Sequence, residues 1–203
     1  MKSSTEEILP IIGTSMGGGF YAGRIRINGQ LFALIVAPKA EGQRKPGPWI
    51  DGHKEVPAAL SYNDGMANTN AMAEAGSELA KWARGLRIAD CDDWYLPSFD
   101  ELEVIYRNLK PTTRENDCYA RSGINLNAAE PTAPYTPGFP LQTAAELFQE
   151  AAPEAFDPNL YWSSTQHVSD SGCAWGQYFD DGYQDCSLTG TRDRARAVRR
   201  LPI

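Results

Sequence analysis

The side chains that could do chemistry are few, and their spacing matches no common catalytic motif. Ser164, His167 and Asp170 could be written as a hydrolase triad, but triads are defined by geometry and this spacing does not support one. The glycine run at 17–19 precedes Phe-Tyr and a predicted strand, whereas a phosphate-binding loop needs a Lys-Ser/Thr pair and a helix. We therefore predict no catalytic residues and interpret His53 and His167 as surface histidines.

The possible metal ligands are also sparse. The four cysteines include no CxxC pair, so neither a zinc ribbon nor a redox motif is indicated. Carboxylates around Gly182 could offer oxygens to calcium, but they do not match an EF-hand loop, and Asp-Asp-Gly is typical of a turn. We predict free thiols, no metal and no cofactor, with calcium and a Cys173–Cys186 disulfide as open alternatives. The cysteines are Cys91, Cys118, Cys173 and Cys186.

The aromatic residues of the C-terminal third indicate contact rather than catalysis. Tyr178 and Tyr183 lie among Gly, Ser, Asp and Thr, a composition well suited to a binding surface. Other rings, such as Trp162 and Trp175, fall in predicted strands and are assigned to the core.

Composition limits the partners. The chain has 203 residues, a net charge of −7 and a pI of about 4.9, so nucleic acid and anionic membranes are disfavoured. No apolar run approaches the roughly 20 residues of a membrane helix, and residues 1–7 lack the pattern of a secretory signal. We expect no nucleic acid partner, no membrane insertion, and synthesis in the bacterial cytoplasm without a signal peptide.

In the first half, the firmest predicted element is a hairpin. Residues 20–27 and 30–36 are predicted strands joined by Asn28-Gly29, because both turn residues tolerate positive φ. Residues 38–63 are rich in Gly and Pro and are predicted to be irregular.

Helices and strands alternate with loops in the remainder. One apolar stripe predicts a single helix over 65–86. A capping box of Ser98 and Glu101 begins a second helix, and Thr143 with Glu146 indicates a short third one. The predicted C-terminal strands are 161–165, 174–179 and 194–199.

Four segments of the second half resemble one known family. They are DWYLPSFDEL at 93–102, YWSST at 161–165, AWGQYFDDG at 174–182 and RARAVR at 194–199. In this order they resemble the domain named after the C-terminal part of a bacterial collagen-like adhesin, the Lcl C-terminal family. That family belongs to the C-type-lectin-like superfamily and is distantly related to formylglycine-generating enzymes. Residues 61–69 also resemble versions encoded in phages and prophages.

The resemblance implies a fold and a role. The expected fold class is α+β, a C-type-lectin-like fold with two main helices packed on a small twisted antiparallel sheet, long loops and an N-terminal β-hairpin. It implies binding without catalysis, because Cys173 and Cys186 are too far apart to match the copper-holding cysteine pair of formylglycine-generating enzymes. Glu130-Pro131-Thr132 and Trp162-Ser163-Ser164 depart from the motifs of calcium-dependent lectins.

Some members of this superfamily are targets of diversity-generating retroelements, which randomise selected codons on a fixed scaffold. Between 166 and 193, scaffold residues such as Trp175, Phe179 and Gly182 alternate with heterogeneous residues, as such diversification would produce. An ordinary loop region of the family is the open alternative. The predicted ligand-binding residues are His167, Asp170, Cys173, Gly176, Tyr178, Asp181, Tyr183, Asp185, Cys186 and Thr189.

These observations predict a non-enzymatic recognition protein at a phage or prophage tail tip, located finally on the virion or outside the cell. Residues 1–59 would form a lead segment and hairpin for docking or oligomerisation, and residues 60–203 a C-type-lectin-like domain with ligand-facing loops 166–193. Residues 1–37 would bind a tail or baseplate protein, and the chain would form a homo-oligomer. The ligand would be a cell-surface protein or glycan of a host bacterium. The alternatives are a copper oxidase related to formylglycine-generating enzymes and a purely structural virion protein.

Overall fold

The computed structural model describes residues 10–118, 124–129 and 135–203, and it confirms an α+β fold with an N-terminal hairpin. Residues 1–9 of the lead segment and Glu130-Pro131-Thr132 lie outside the described residues. The helices are α1 (Lys39–Gly42), α2 (Gly65–Ala75), α3 (Glu78–Gly85) and α4 (Phe99–Leu109), with a 3-10 turn at Glu146–Phe148. The strands are β1 (Ser15–Met16), β2 (Gly19–Ile27), β3 (Gln30–Val36), β4 (Gln43–Gly47), β5 (Leu160–Gln166), β6 (Cys173–Tyr178), β7 (Gln184–Leu188), β8 (Asp193–Arg196) and β9 (Val198–Pro202). None of the described helices combines the length and the apolarity that crossing a bilayer requires.

The strands form two sheets. One has the order β1-β2-β3-β9 and the other β4-β8-β5-β6-β7. The β2–β3 hairpin is confirmed, since Asn28 and Gly29 both have positive φ, at 51° and 81°. β3 pairs antiparallel with β9 along its length, so the N-terminal hairpin shares a sheet with the C-terminal strand.

Helix α4 lies between the hairpin and the second sheet. The predicted capping box is confirmed, with Ser98 and Glu101 each bonding the other's backbone N–H. Leu102, Ile105 and Tyr106 then bury one face of the helix in a core that also holds aromatic rings of the second sheet. This packing fixes the helix against the strands that carry the predicted binding segment.

Two predicted elements prove to be four. The helix expected over 65–86 breaks at Gly76, which has a φ of 105°, and the Ser77 side chain caps α3 by accepting the Ala80 N–H. The strand expected over 194–199 is β8 followed by β9, in different sheets. The chain crosses between them at Ala197, whose backbone bonds Gly42 and Ala37.

Three further expectations are corrected. Residues 38–63 are not wholly irregular, because they contain α1 and β4, and β4 pairs with β8. The third helix is only the 3-10 turn, since the Thr143 hydroxyl donates to the Asn108 carbonyl rather than capping a helix. The segment 166–193 includes β7 as well as β6, and therefore forms an ordered hairpin at the edge of the sheet.

Candidate functional site

The ten predicted ligand residues lie on or beside the β6–β7 hairpin, and its register sorts them onto two faces. Trp175 is opposite Cys186, and Gly176 is opposite Asp185. Because successive side chains of a strand alternate between faces, Tyr178 shares the face of Gly176 and Asp185. Strand β7 ends its sheet, so this hairpin has a neighbouring strand on one side only.

The first face carries two tyrosines. The Tyr178 and Tyr183 ring centroids lie 6.1 Å apart with the planes tilted by 39°, and both residues are half-buried. The Tyr178 N–H donates to the Tyr183 carbonyl at 2.9 Å. Gly182, with a φ of 79°, makes the turn between them and abuts the Tyr106 ring, where a Cβ would come within 2.5 Å. Only glycine fits at position 182 beside the Tyr106 ring of α4, and the turn that Gly182 makes positions both tyrosines.

Tyr178 lies in a partly buried and acidic environment. Burial, and then the charges of Asp193, Asp185, Asp180 and Asp181 in that order, raise the pKa of Tyr178. We name this surface the tyrosine–aspartate face, and it consists of Tyr178, Asp181, Tyr183, Asp185 and Asp193.

The carboxylates of the face differ in how their oxygens are used. Asp181 accepts the Tyr183 N–H at 3.0 Å, and Asp185 accepts the Cys186 N–H at 2.8 Å. Asp193 is half-buried, burial raises its pKa to about 6, and its Oδ2 meets no hydrogen-bond donor among the described residues. The neighbouring Asp180 forms an ion pair with Arg114 through its Oδ2 at 2.7 Å, and its Oδ1 is unpaired among the described residues.

The opposite face of the hairpin packs against α4. The Trp175 ring stacks on Phe99 at 4.8 Å, and His167 lies 5.0 Å from Trp175. Four buried polar atoms on this side find no partner in the described part of the chain: His167 Nδ1, Trp175 Nε1, Gln177 Oε1 and Gln184 Oε1.

The two cysteines of the hairpin are present as free thiols. Burial raises the pKa of Cys173 to about 11, and Cys173 donates to Asp170 Oδ2 at 3.4 Å. Burial, and next the charge of Asp185, raise the pKa of Cys186. Both groups are therefore protonated thiols at neutral pH and poor nucleophiles.

Three of the predicted ligand residues lie inside the protein and cannot offer a side chain to a ligand. Cys173 is 8% exposed and Thr189 is fully buried, with its hydroxyl donating to the Gly52 carbonyl at 3.1 Å. Gly176 is buried against Leu160, where a Cβ would come within 2.5 Å. A small or polar residue type is compatible with a buried position in close contact as well as with an exposed one. The sequence pattern could not tell these two cases apart. His167, Asp170 and Cys186 lie in or beside the hairpin but away from the tyrosine–aspartate face.

The sequence interpretation missed Asp193. It begins β8, opposite Gly47, and lies on the same side of the molecule as Tyr178 because β5 pairs with β8 at one edge and with β6 at the other. No pattern in the sequence around Asp193 predicts that β8 lies beside β5. Within 10–118, 124–129 and 135–203, no cluster of three or more His, Cys, Asp or Glu side chains is placed to hold a metal ion.

The comparison with known families identifies the domain. The model of the Lcl C-terminal domain family matches residues 49–199, so the chain belongs to that family. Membership indicates an adhesin-type domain. The match covers the β6–β7 hairpin and leaves β2 and β3 outside it. The search of curated proteins finds no match.

Proposed function

We propose that this domain is a non-enzymatic recognition protein that binds its ligand through the tyrosine–aspartate face. The observation that carries the proposal is the pair of half-buried rings, Tyr178 and Tyr183, at the edge of a sheet whose inner residues, such as Leu160 and Trp162, are buried. Tyrosine contributes large contact area at little entropic cost, and it is enriched among residues that dominate binding energy. An adhesin-type family is consistent with that use.

The proposed setting is the tail tip of a phage or prophage particle, where the domain would contact a surface protein or glycan of a host bacterium. The support is the resemblance of residues 61–69 to versions encoded in phages. Residues 1–37 would attach the domain to a tail or baseplate protein, in a homo-oligomer. The hairpin β2–β3 suits that role, because it lies outside the family match and belongs to the other sheet.

We also propose that codons for the exposed positions of 166–193 are diversified by a retroelement. The fixed positions would be the buried ones, such as Gly176 and Thr189, and the varied ones would include Tyr178, Tyr183 and Asp185. A near-identical DNA repeat beside a reverse-transcriptase gene is the expected finding. A lone copy of the segment would contradict this part of the proposal.

The binding role is tested by replacing both tyrosines, Tyr178→Ala with Tyr183→Ala, and measuring attachment to host cells and the melting temperature. We expect attachment to fall at least about tenfold, as for central aromatic contacts, while the melting temperature shifts by only a few degrees. Trp82→Ala is the control, because Trp82 is a half-buried ring on α3 that packs under Arg44 at 5.5 Å. Unchanged attachment, or defective particle assembly with normal attachment, would favour a purely structural role instead.

A further inference from the structure

We propose that an apolar groove beside the N-terminal segment is the surface through which two copies of this chain associate. Ile11 and Ile12 line the groove together with residues 139–145. The inference rests on the homo-oligomer of the proposed function, for which it names the contact surface. Tyr178 and Tyr183 do not line the groove, so this contact does not use the tyrosine–aspartate face.

The groove is large, and exposed apolar side chains border it. Its volume is about 570 Å³, which is in the size range of protein binding sites. Ile11 is 84% exposed and Leu141 is 72% exposed, and neighbouring apolar side chains at the surface of a soluble protein mark an interaction site. Ile12 packs against the core, and the Gly13 N–H donates to the Tyr21 carbonyl at 2.8 Å, so this wall of the groove is held in place.

The polar side chains of the groove are occupied by the domain itself. Asn108 Nδ2 donates to the Ala22 carbonyl at 2.9 Å, and Gln142 Nε2 donates to the Pro111 carbonyl at 2.7 Å. The Thr143 hydroxyl donates to the Asn108 carbonyl at 2.8 Å. A small polar ligand needs polar groups that converge on it. The groove therefore suits the apolar side chains of a protein surface better than such a ligand.

Charge favours a second copy as the occupant. Each copy carries a net charge of −7, so two copies repel each other unless they meet where that charge is absent. Among the described residues that line the groove, none is acidic, and Arg107 is buried and ion-paired with Glu103. The groove is therefore an uncharged surface, as the self-association of an acidic chain requires.

Shape gives a second reason. Leu141 is exposed at the border of a groove that would accept an apolar side chain of its size. A two-fold contact places the same patch opposite itself, so a protruding side chain beside a recess is self-complementary. In such a dimer the Leu141 side chain of each copy would enter the groove of the other, and Ile11 would pack beside it.

The test measures the mass of the intact chain by analytical ultracentrifugation from micromolar to submillimolar concentrations. We expect the mass to rise with concentration from 22.3 kDa toward twice that value. Leu141→Asp would bury an unpaired carboxylate in the contact, so the dissociation constant of the dimer should rise at least about tenfold. Leu141→Met keeps the size and apolarity of the side chain and should stay within about threefold of the parent.

The matched control is Leu126→Asp, because Leu126 is 90% exposed and does not line the groove. This variant should dimerise like the parent. At concentrations where the parent is monomeric, both aspartate variants should melt within a few degrees of it, because both replaced side chains are exposed.

A parent chain that forms a trimer would overturn the inference. A parent that stays monomeric would overturn it too, and would also remove the homo-oligomer from the proposed function. A dimer that persists in Leu141→Asp, or that Leu126→Asp weakens equally, would overturn the inference and leave the homo-oligomer standing. Host attachment is measured separately: if Tyr178→Ala with Tyr183→Ala attaches normally, the recognition role fails whatever the mass measurements show.

Discussion

The N-terminus of α4 and the β6–β7 hairpin bury polar groups in opposite ways. At α4, the fully buried Glu101 accepts the N–H groups of Ser98 and Gly65 at 2.7 Å and 3.1 Å through one oxygen. Its other oxygen accepts the Tyr95 hydroxyl at 2.6 Å. At the hairpin, buried polar atoms of Trp175, Gln177 and Gln184 have no partner in the described part of the chain.

The difference separates two parts of the molecule. We call α4 and the aromatic core around it the frame, and the other part is the surface of the β6–β7 hairpin. A fully satisfied buried network fixes one arrangement of the core, whereas each unpaired buried group costs about 1–3 kcal/mol of stability. Departures from local rules are expected where a protein works. The contrast therefore assigns stability to the helix and its aromatic contacts, and it is consistent with the recognition that we propose for the hairpin.

The largest effect should come from the ring that joins the hairpin to the frame. Phe179 is fully buried, stacks on Phe156 at 4.0 Å and meets Tyr106 edge-on at 5.6 Å. Phe179→Ala should lower the free energy of unfolding by about 3–5 kcal/mol through the cavity it leaves, as measured by urea denaturation. Tyr178→Ala, one residue earlier and half-exposed, is the control and should cost about 1 kcal/mol. If both variants lost the same free energy of unfolding, the distinction between the frame and the hairpin surface would be wrong.

The next effect tests the α4 network itself. Glu101→Met keeps the length of the side chain but removes the two oxygens that now accept three hydrogen bonds. The Ser98 and Gly65 N–H groups and the Tyr95 hydroxyl would then be buried without an acceptor, so we expect a loss of at least about 2–3 kcal/mol in the free energy of unfolding. Glu78→Met on the exposed side of α3 is the control and should leave the melting temperature nearly unchanged. A neutral outcome at Glu101 would mean that the network does not stabilise the frame.

Local signals in the sequence predicted the frame well. The turn at Asn28-Gly29 and the capping box at Ser98 and Glu101 depend on neighbouring residues only, and both are confirmed. The break between β8 and β9 at Ala197 depends on backbone bonds to Gly42 and Ala37, far along the chain. No pattern within residues 194–199 could predict this break.

The candidate site was predicted only in part, for a related reason. Alternation along β6 correctly separates Tyr178 from Trp175, because that period is local. Burial of Gly176 and Thr189 instead depends on Leu160 and Gly52, which approach from other elements. The contribution of Asp193 likewise requires the strand order of the whole sheet.

Replacing Asp193 should change the free energy of unfolding by a smaller amount, and should increase it. Its pKa rises from 3.8 to about 6 on folding, so the folded state binds the proton more tightly than the unfolded state. The contribution of Asp193 to stability should therefore fall as pH rises from about 4 to about 6 and stay lower above that range. Asp193→Asn should add about 1 kcal/mol at pH 7, reduced for partial exposure, and flatten this dependence. A variant less stable than the parent at pH 7 would show that the carboxylate has a partner.

The smallest expected effect compares two buried glutamines. Gln166 is fully bonded, since its Oε1 accepts the Val56 N–H at 2.7 Å and its Nε2 donates to the Lys54 and Ser171 carbonyls, each at 2.8 Å. Gln184 is 2% exposed, and its Oε1 is unpaired among the described residues. Gln184→Met should change the free energy of unfolding by no more than about 0.5 kcal/mol, because it removes an unsatisfied oxygen at nearly constant volume. Gln166→Met should cost about 2–3 kcal/mol, because it leaves one donor and two acceptors unpaired. Similar losses of unfolding free energy at both positions would show that the same kind of polar contacts stabilises the hairpin and the frame. The contrast between the two regions would then be wrong.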